Sequence, residues 1–245
     1  MKVGKFGYLN NFLPYYFLNG VEVVEATPKD MASKLLNGQI DYAPIPAFFY
    51  LSRKDLLRHY RFCVASFGKV LSVVVVSREK ELDDGPIAIT KDSMTSVSLL
   101  KIILRERGLR NRLVPMKTAI AQEMLERCRH ALVIGDEAIK ARMIYRVVMD
   151  LGEEWYDLTS LPMVFGISAS LKNVDASNLD SRILESLNKA YENIESVLED
   201  AEKTFKMPRE FLIEYFRTLR FELGGKERRG LNEFEKYCRD CGLLR

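Results

Sequence analysis

Net charge is nearly absent from this chain. Its 37 Lys and Arg against 34 Asp and Glu leave +3 over 245 residues, too little to draw nucleic acid or an anionic membrane through a global field. Any anion site must therefore be local. Long apolar runs are missing too: the start Met1-Lys2-Val3-Gly4-Lys5-Phe6-Gly7 lacks the roughly 7–15 apolar residues of a secretory signal, and nowhere do about 18 uncharged apolar residues run together. A cytoplasmic protein without a membrane span is expected. Histidine is scarce. His59 and His130 each follow an arginine, Arg58 and Arg129, and neither has a Ser or Cys nucleophile signature beside it, which weakens triad and zinc-hydrolase readings. The 4 Cys are too few for a disulfide scaffold in a chain of this length. Cys63 and Cys128 stand alone, and Cys238 and Cys241 form a C-x-x-C in a terminal amphipathic segment without a second ligand pair, so plain thiols are expected over a redox or metal centre. No G-x-x-x-x-G-K-[ST] and no G-x-G-x-x-G follows a strand-like run, which removes the nucleotide fingerprints. Low-complexity segments and repeats of about 20–50 residues are also missing.

What is present is ordinary globular composition, 47% hydrophobic and 29% charged with 14 Gly and 8 Pro, enough for one large domain or two small ones of roughly 100–200 residues each. Short β-branched runs alternate with helical patterns. Val21–Glu25 reads as a strand, and Thr27-Pro28-Lys29-Asp30 opens a helix that stops at Asn37-Gly38, with Thr as N-cap, Pro at the first position and an acid near the dipole. Ile40–Ile45, Phe62–Ser66 and Leu71–Val76 follow as strands. The last is apolar throughout, as expected of a strand covered on both faces, so the sheets are expected to be mixed and mostly parallel. After the turn Asp83-Asp84-Gly85-Pro86, residues Pro86 to Ile134 alternate strand, helix, strand, helix, strand, with Gly108 closing the first helix. The chain returns through Pro162–Ile167 and ends in helices only, the first carrying Leu179, Ile183, Leu187, Ile194 and Leu198 on one face.

This pattern predicts an α/β protein of two lobes, 1–80 with 168–245 and 81–167, joined near Ser77–Asp84 and near Val164–Ser170, with the helical tail packed on the first lobe. A cleft between lobes is the default ligand site, and open α/β sheets bind ligands at the carboxyl ends of their strands. Three places there carry chemistry. Asn10 and Asn11, in Gly7-Tyr8-Leu9-Asn10-Asn11-Phe12-Leu13-Pro14, offer donors and acceptors to a hydroxyl or carboxylate, or cap a helix. Asp92-Ser93-Met94-Thr95-Ser96 opens a helix after a strand, so backbone N–H groups, the helix dipole and the hydroxyls of Ser93, Thr95 and Ser96 converge as an anion grip, or act as caps. In Ile134-Gly135-Asp136-Glu137-Ala138, Gly135 would let a ligand approach the backbone and Asp136 is a cap or a polar cleft group. Ser72 sits in an apolar strand, where its hydroxyl faces a cleft or bonds to backbone. Gly224–Gly230, basic and Gly-rich, reads as a solvated turn between two helices.

The order Tyr8-Leu9-Asn10 with Leu13-Pro14, Asn37-Gly38 before Asp41, Ser72, Ser93-Met94-Thr95-Ser96, Ile134–Ala138, Asp150-Leu151-Gly152-Glu153-Glu154-Trp155 and Thr159–Phe165 resembles the chorismate dehydratase family of the futalosine route to menaquinone. The likeness extends to Gly230–Phe234, and Asp150–Phe165 is its most specific block. Ser160 stands where that family usually has Gly. The resemblance implies a two-lobed fold similar to type II periplasmic binding proteins, and removal of water from chorismate, a dicarboxylate, to give 3-[(1-carboxyvinyl)oxy]benzoate, with no metal or organic cofactor. It further implies that Ser93, Thr95 and Ser96 bind carboxylate, with Gly135 and Asp136 in the same pocket. Asn10 or Asn11 and Ser72 would orient the enolpyruvyl or hydroxyl group, while the substrate's own side-chain carboxylate takes the proton. The sister 1,4-dihydroxy-6-naphthoate synthase would carry a His at the position of Gly135, and its absence argues against that activity. A binding or sensor protein for a small carboxylate is the reading of a different class, because a fold alone does not give function.

Overall fold

The computed structural model describes residues 1–90 and 93–244. Its chain divides into two compact units, 1–65 with 164–228 and 66–163 with 229–245.

The first unit opens with strand β1 (Lys2–Lys5), which pairs in parallel with β2 (Glu22–Glu25), Val3 opposite Val23. Between them, helix α1 covers Phe12–Tyr15. Helix α2 (Pro28–Leu36) starts as the sequence dictates, the Thr27 hydroxyl accepting from Asp30 N at 3.2 Å. Its Met31 packs so closely on β1 that a Cβ on Gly4 would lie 2.3 Å from the Met31 sulfur. Strand β3 (Ala43–Pro46), helix α3 (Ala47–Leu51) and strand β4 (Leu57–Ser66) complete the first passage through this unit.

The second unit holds a five-stranded sheet. Strands β5 (Val73–Ser77), β6 (Ile87–Thr90), β7 (Leu113–Met116), β8 (His130–Ile134) and β9 (Arg146–Asp150) lie in the order β7-β6-β8-β5-β9. Helices α4 (Met94–Glu106), α5 (Ala121–Arg127), α6 (Gly135–Ala141) and α7 (Leu151–Thr159) follow β6, β7, β8 and β9 in turn. The chain then re-enters the first unit through β10 (Met163–Leu171), antiparallel to β3 with Ile167 opposite Ile45. Helices α8 (Ser177–Glu192), α9 (Ile194–Phe205) and α10 (Arg209–Thr218) and strand β11 (Leu219–Glu222) follow, giving a sheet ordered β11-β4-β10-β3. Helix α11 (Gly225–Asp240) ends the chain.

Several expectations are corrected. The first crossing falls at 65/66, not at Ser77–Asp84, because β5 pairs along its whole length with β8, Val73 opposite Ile134 and Ser77 opposite His130. The tail does not all belong to the first unit: residues 229–245, most of α11, group with the second, where Phe234 and Tyr237 meet Trp155 edge-on with ring centroids at 6.0 and 5.6 Å. The sheets are mixed as expected, but the second unit's sheet is not mostly parallel, since β5 runs antiparallel to β8 and β9 while β6 is parallel to β7 and β8. Burial on both faces, complete along Val73–Ser77, follows from helices covering the sheet and does not depend on strand direction. The ending also contains a strand, β11, whose alternating burial reflects one covered face. The amphipathic run from Leu179 to Leu198 breaks at Asn193, and Gly225–Gly230 lies inside α11 instead of forming a turn.

Candidate functional site

In the second unit the topology gathers one end of the sheet. Strands β6, β8 and β9 point their carboxyl ends there, and antiparallel β5 brings its amino end to the same edge. Ser72 precedes β5, Thr90 ends β6, Ile134 ends β8 and Asp150 ends β9. Of the proposed site residues, Ser72, Ser93, Thr95, Ser96, Gly135 and Asp136 therefore share this edge. Asp92 lies outside the described residues.

Helix α4 starts here without a side-chain cap. Ser93 occupies the N-cap position, yet its side chain accepts no capping bond, and its buried Oγ has no hydrogen-bond partner. This differs from the capping alternative, in which the hydroxyl would satisfy an N–H of the first turn. Thr95, Ser96 and Ser98 of α4 are buried as well. The first turn of an α-helix leaves backbone N–H groups without intrahelical partners and carries the positive end of the dipole. A buried hydroxyl beside such a turn is chemically suited to an anionic oxygen.

Ser72 is fixed through its main chain. Gly135 N donates to Ser72 O at 2.8 Å, and Ser72 Oγ lies 3.5 Å from Val70 O. Gly135 begins α6 at φ 60°, in the left-handed region that glycine adopts without cost, so the sequence reading of a close backbone approach has a conformational basis. Asp136 is half-buried in the first turn of α6, while it is Glu137 whose Oε1 accepts from Ala121 N at 2.8 Å.

Two groups supporting this edge were not assigned a role from sequence. Asp150 caps α7, its Oδ1 accepting from Gly152 N at 3.0 Å and Glu153 N at 3.2 Å. The same carboxylate reaches back to the loop before Ser72, accepting from Val70 N at 3.0 Å and Leu71 N at 2.9 Å. An Asp ahead of Leu-Gly-Glu-Glu is a legible cap signal; the reach to residues 70 and 71 has no local signature. Arg142 donates to Leu71 O at 2.9 Å, and nothing in its sequence surroundings announces it. Leu71 itself has φ 64°, a conformation costing a non-glycine residue about 1–2 kcal/mol.

Asn10 and Asn11 belong to the first unit, in a 3-10 turn over Leu9–Asn11. Asn11 sits at the N-cap of α1 but makes no capping bond; it is fully buried, and its Nδ2 donates to Asn10 Oδ1 at 2.6 Å. Its own Oδ1 has no partner. The pair is thus a linked amide unit with one buried acceptor to spare.

The structure also assembles a constellation the sequence hid. His130 Nδ1 lies 2.9 Å from Ser77 Oγ and its Nε2 lies 2.7 Å from Asp83 Oδ1, at the opposite end of β5 from Ser72. Ser77 Oγ also bonds to Arg129 O and Glu79 N, and the residue is buried. With its hydroxyl saturated, this trio is a turn fastener and no nucleophile site. Cys238 is buried, and burial pushes its thiol up to about 12, the wrong direction for a nucleophile. Among the described residues no group of three or more His, Cys, Asp and Glu could hold a metal ion, and no helix is long and apolar enough to cross a membrane.

A family model described as menaquinone biosynthesis matches residues 1–240. The chorismate dehydratase of Thermus thermophilus is 28% identical over 236 residues, covering 89% of this chain and 86% of its own. Among solved structures, protein AF1704 from Archaeoglobus fulgidus matches with a TM-score of 0.80 at 20% identity, over 99% of this chain and 98% of that one. The periplasmic aliphatic sulphonate binding protein SsuA from Escherichia coli matches with a TM-score of 0.71 at 15% identity, over 100% and 88%. At such identities the structural likenesses speak for the fold, which is periplasmic-binding-protein-like.

Proposed function

The chain belongs to the menaquinone biosynthesis family, and from that premise we propose that it dehydrates chorismate to 3-[(1-carboxyvinyl)oxy]benzoate in the futalosine route to menaquinone. The relative named chorismate dehydratase supports the choice of substrate. The observation carrying the reading within this chain is the start of α4, where the buried Ser93 Oγ lacks a partner beside a helix N-terminus. That arrangement suits one carboxylate of a dicarboxylate substrate.

The chemistry asks little of the protein beyond grip and exclusion of water. The ring carboxylate activates the C3 proton vinylogously, the C4 hydroxyl leaves, and the ring becomes aromatic, so chorismate gives product and one water. Charge moves into the ring carboxylate as the proton departs, and preorganised donors around that carboxylate lower the barrier. Ser93, Thr95 and Ser96 supply the grip, with Gly135 and Asp136 on the same sheet edge. Ser72 orients the enolpyruvyl or hydroxyl group. The side-chain carboxylate of the substrate takes the C3 proton.

The test is incubation of the purified protein with chorismate, following aromatic absorbance and a product lighter by one water. Turnover is expected, with Ser93→Ala and Ser72→Ala each lowering kcat/KM by about tenfold or more. Chorismate bound and recovered unchanged would replace this reading with a carboxylate-binding protein.

A further inference from the structure

We infer that Asp150 and Arg142 are positioning residues whose shared task is to hold Ser72 in its working geometry. The inference rests on the dehydration reading given above. Sheet pairing of β5 begins at Val73. Order nevertheless extends beyond the sheet, because the main chain from Val70 to Ser72 is held by three residues from the end of β9 and the two ends of α6. Asp150, at the end of β9, accepts from Val70 N and Leu71 N; Arg142, just after α6, donates to Leu71 O; Gly135, at the start of α6, donates from its N to Ser72 O.

Capping explains only half of what Asp150 does. Its bonds to Gly152 N and Glu153 N satisfy the first turn of α7, and a cap needs no more. Its second set of bonds acts on Leu71, a buried non-glycine residue held at φ 64°. Glycine would relieve that conformation but forfeit the packing of a buried leucine, so the strained backbone needs fixing partners. The strain persists because donors and acceptors on both sides of the residue fix it. Gly152 contributes by allowing close approach, since a Cβ there would lie 2.5 Å from Gly68 O and 2.7 Å from Ser66 Oγ. The residue this clamp delivers, immediately after the strained one, is Ser72. Arg142 reinforces the point, for its half-buried guanidinium is directed at the backbone carbonyl of Leu71, the strained residue.

The experiment is a pair of double-mutant cycles in the full-length protein: Asp150→Asn with Ser72→Ala, and Arg142→Met with Ser72→Ala. Steady-state chorismate turnover is read together with amide hydrogen exchange. In Asp150→Asn the amide side chain turns a donor toward N–H groups, so Leu71 exchange should accelerate while Val74 and Leu132 in the sheet stay protected. kcat/KM should fall about tenfold, chiefly through kcat. Ser72→Ala added to Asp150→Asn should then cost less than twofold more, because the positioned hydroxyl is already lost. A purely structural Asp150 would reduce the active fraction equally with and without the Ser72 hydroxyl, so multiplicative losses overturn the inference. Full turnover in Asp150→Asn also overturns it. Should Asp150→Asn fail to fold, the Arg142 cycle decides, with the same less-than-twofold expectation and the same refuting outcome. If the unmodified protein binds chorismate without converting it, the dehydration reading falls alone. The cycles are then read on chorismate affinity, where multiplicative losses refute positioning. Absence of binding refutes both.

Discussion

His130 and Asp83 form a hydrogen bond of 2.7 Å in which the imidazole is fully buried and the carboxylate only partly so. Asp83 also accepts from Gly85 N at 2.7 Å and from Arg129, so one carboxylate fastens the turn 83–86 to the edge of the second unit's sheet. The His130 bond first, then the Gly85 N–H and Arg129, hold the Asp83 carboxyl well below the usual carboxylate range. A carboxylate depressed in the folded state contributes stability that is fully present above its unfolded pKa of about 3.9 and is lost as pH falls toward the folded value. Urea midpoints of the unmodified protein and of Asp83→Asn should therefore draw together as pH falls below about 4. A gap that failed to narrow there would contradict this.

Gly230 lies inside α11, where alanine would ordinarily favour the helix by about 1 kcal/mol. Here a Cβ would lie 2.0 Å from Pro162 O. That carbonyl already accepts from the Trp155 indole at 3.2 Å, and a backbone atom cannot swing aside as a flexible side chain would. Overpacking of about 1–3 kcal/mol should outweigh the propensity gain. Gly230→Ala is expected to lower the unfolding midpoint, and the chain's 1 Trp, buried at that contact, gives the fluorescence signal to follow it. An increase in stability would show that α11 does not dock through this glycine.

In the first unit, Asp180 is buried with its Oδ1 accepting from Tyr42 OH at 2.6 Å, Phe62 N at 3.0 Å and Ser168 Oγ at 3.2 Å, while Oδ2 accepts from Arg61 N at 3.0 Å. The carboxylate thereby ties α8 to β4, to β10 and to Tyr42, just before β3. Asparagine cannot replace it, because the amide would oppose one donor with another. Asp180→Asn should cost about 2–4 kcal/mol in urea unfolding, more than Tyr42→Phe, which removes one bond to a charged acceptor worth about 1.5–3 kcal/mol. The reverse ranking would mean that the Tyr42 hydroxyl, and not the carboxylate, organises the cluster.

Much of this architecture is legible where the cause is local. Thr27-Pro28 announces α2, Gly108 at φ 68° follows the end of α4, and the bounds His130–Ile134 of β8 follow from five residues alone. Pairing partners are not local. The run Leu71–Val76 looks the same whether its neighbours run parallel or antiparallel, so the assignment of β5 to the second unit was hidden until His130 stood opposite Ser77. Likewise β9 leads into Asp150, whose capping role is readable but whose bonds to Val70 and Leu71 span about eighty positions. Of the candidate site, the sequence indicates the residue types at the strand ends; it cannot indicate that Ser93 declines its capping bond or that Asn11 turns its Nδ2 toward Asn10.

Ser160 ends α7 at φ 56°, its N–H bonded to Tyr156 O at 2.7 Å. This is the left-handed position after a helix that glycine favours. The Ser160 side chain is exposed, so its removal takes away a solvated hydroxymethyl group whose β-carbon costs about 1–2 kcal/mol of strain. Against this stands the greater entropy glycine gives the unfolded chain, about 0.5–1 kcal/mol. Relief exceeds cost, and Ser160→Gly should raise stability by about 0.5–1 kcal/mol without altering chorismate turnover. Thermal unfolding followed by Trp155 fluorescence measures it; a lower midpoint would mean that the serine holds the turn through a contact stronger than the strain it bears.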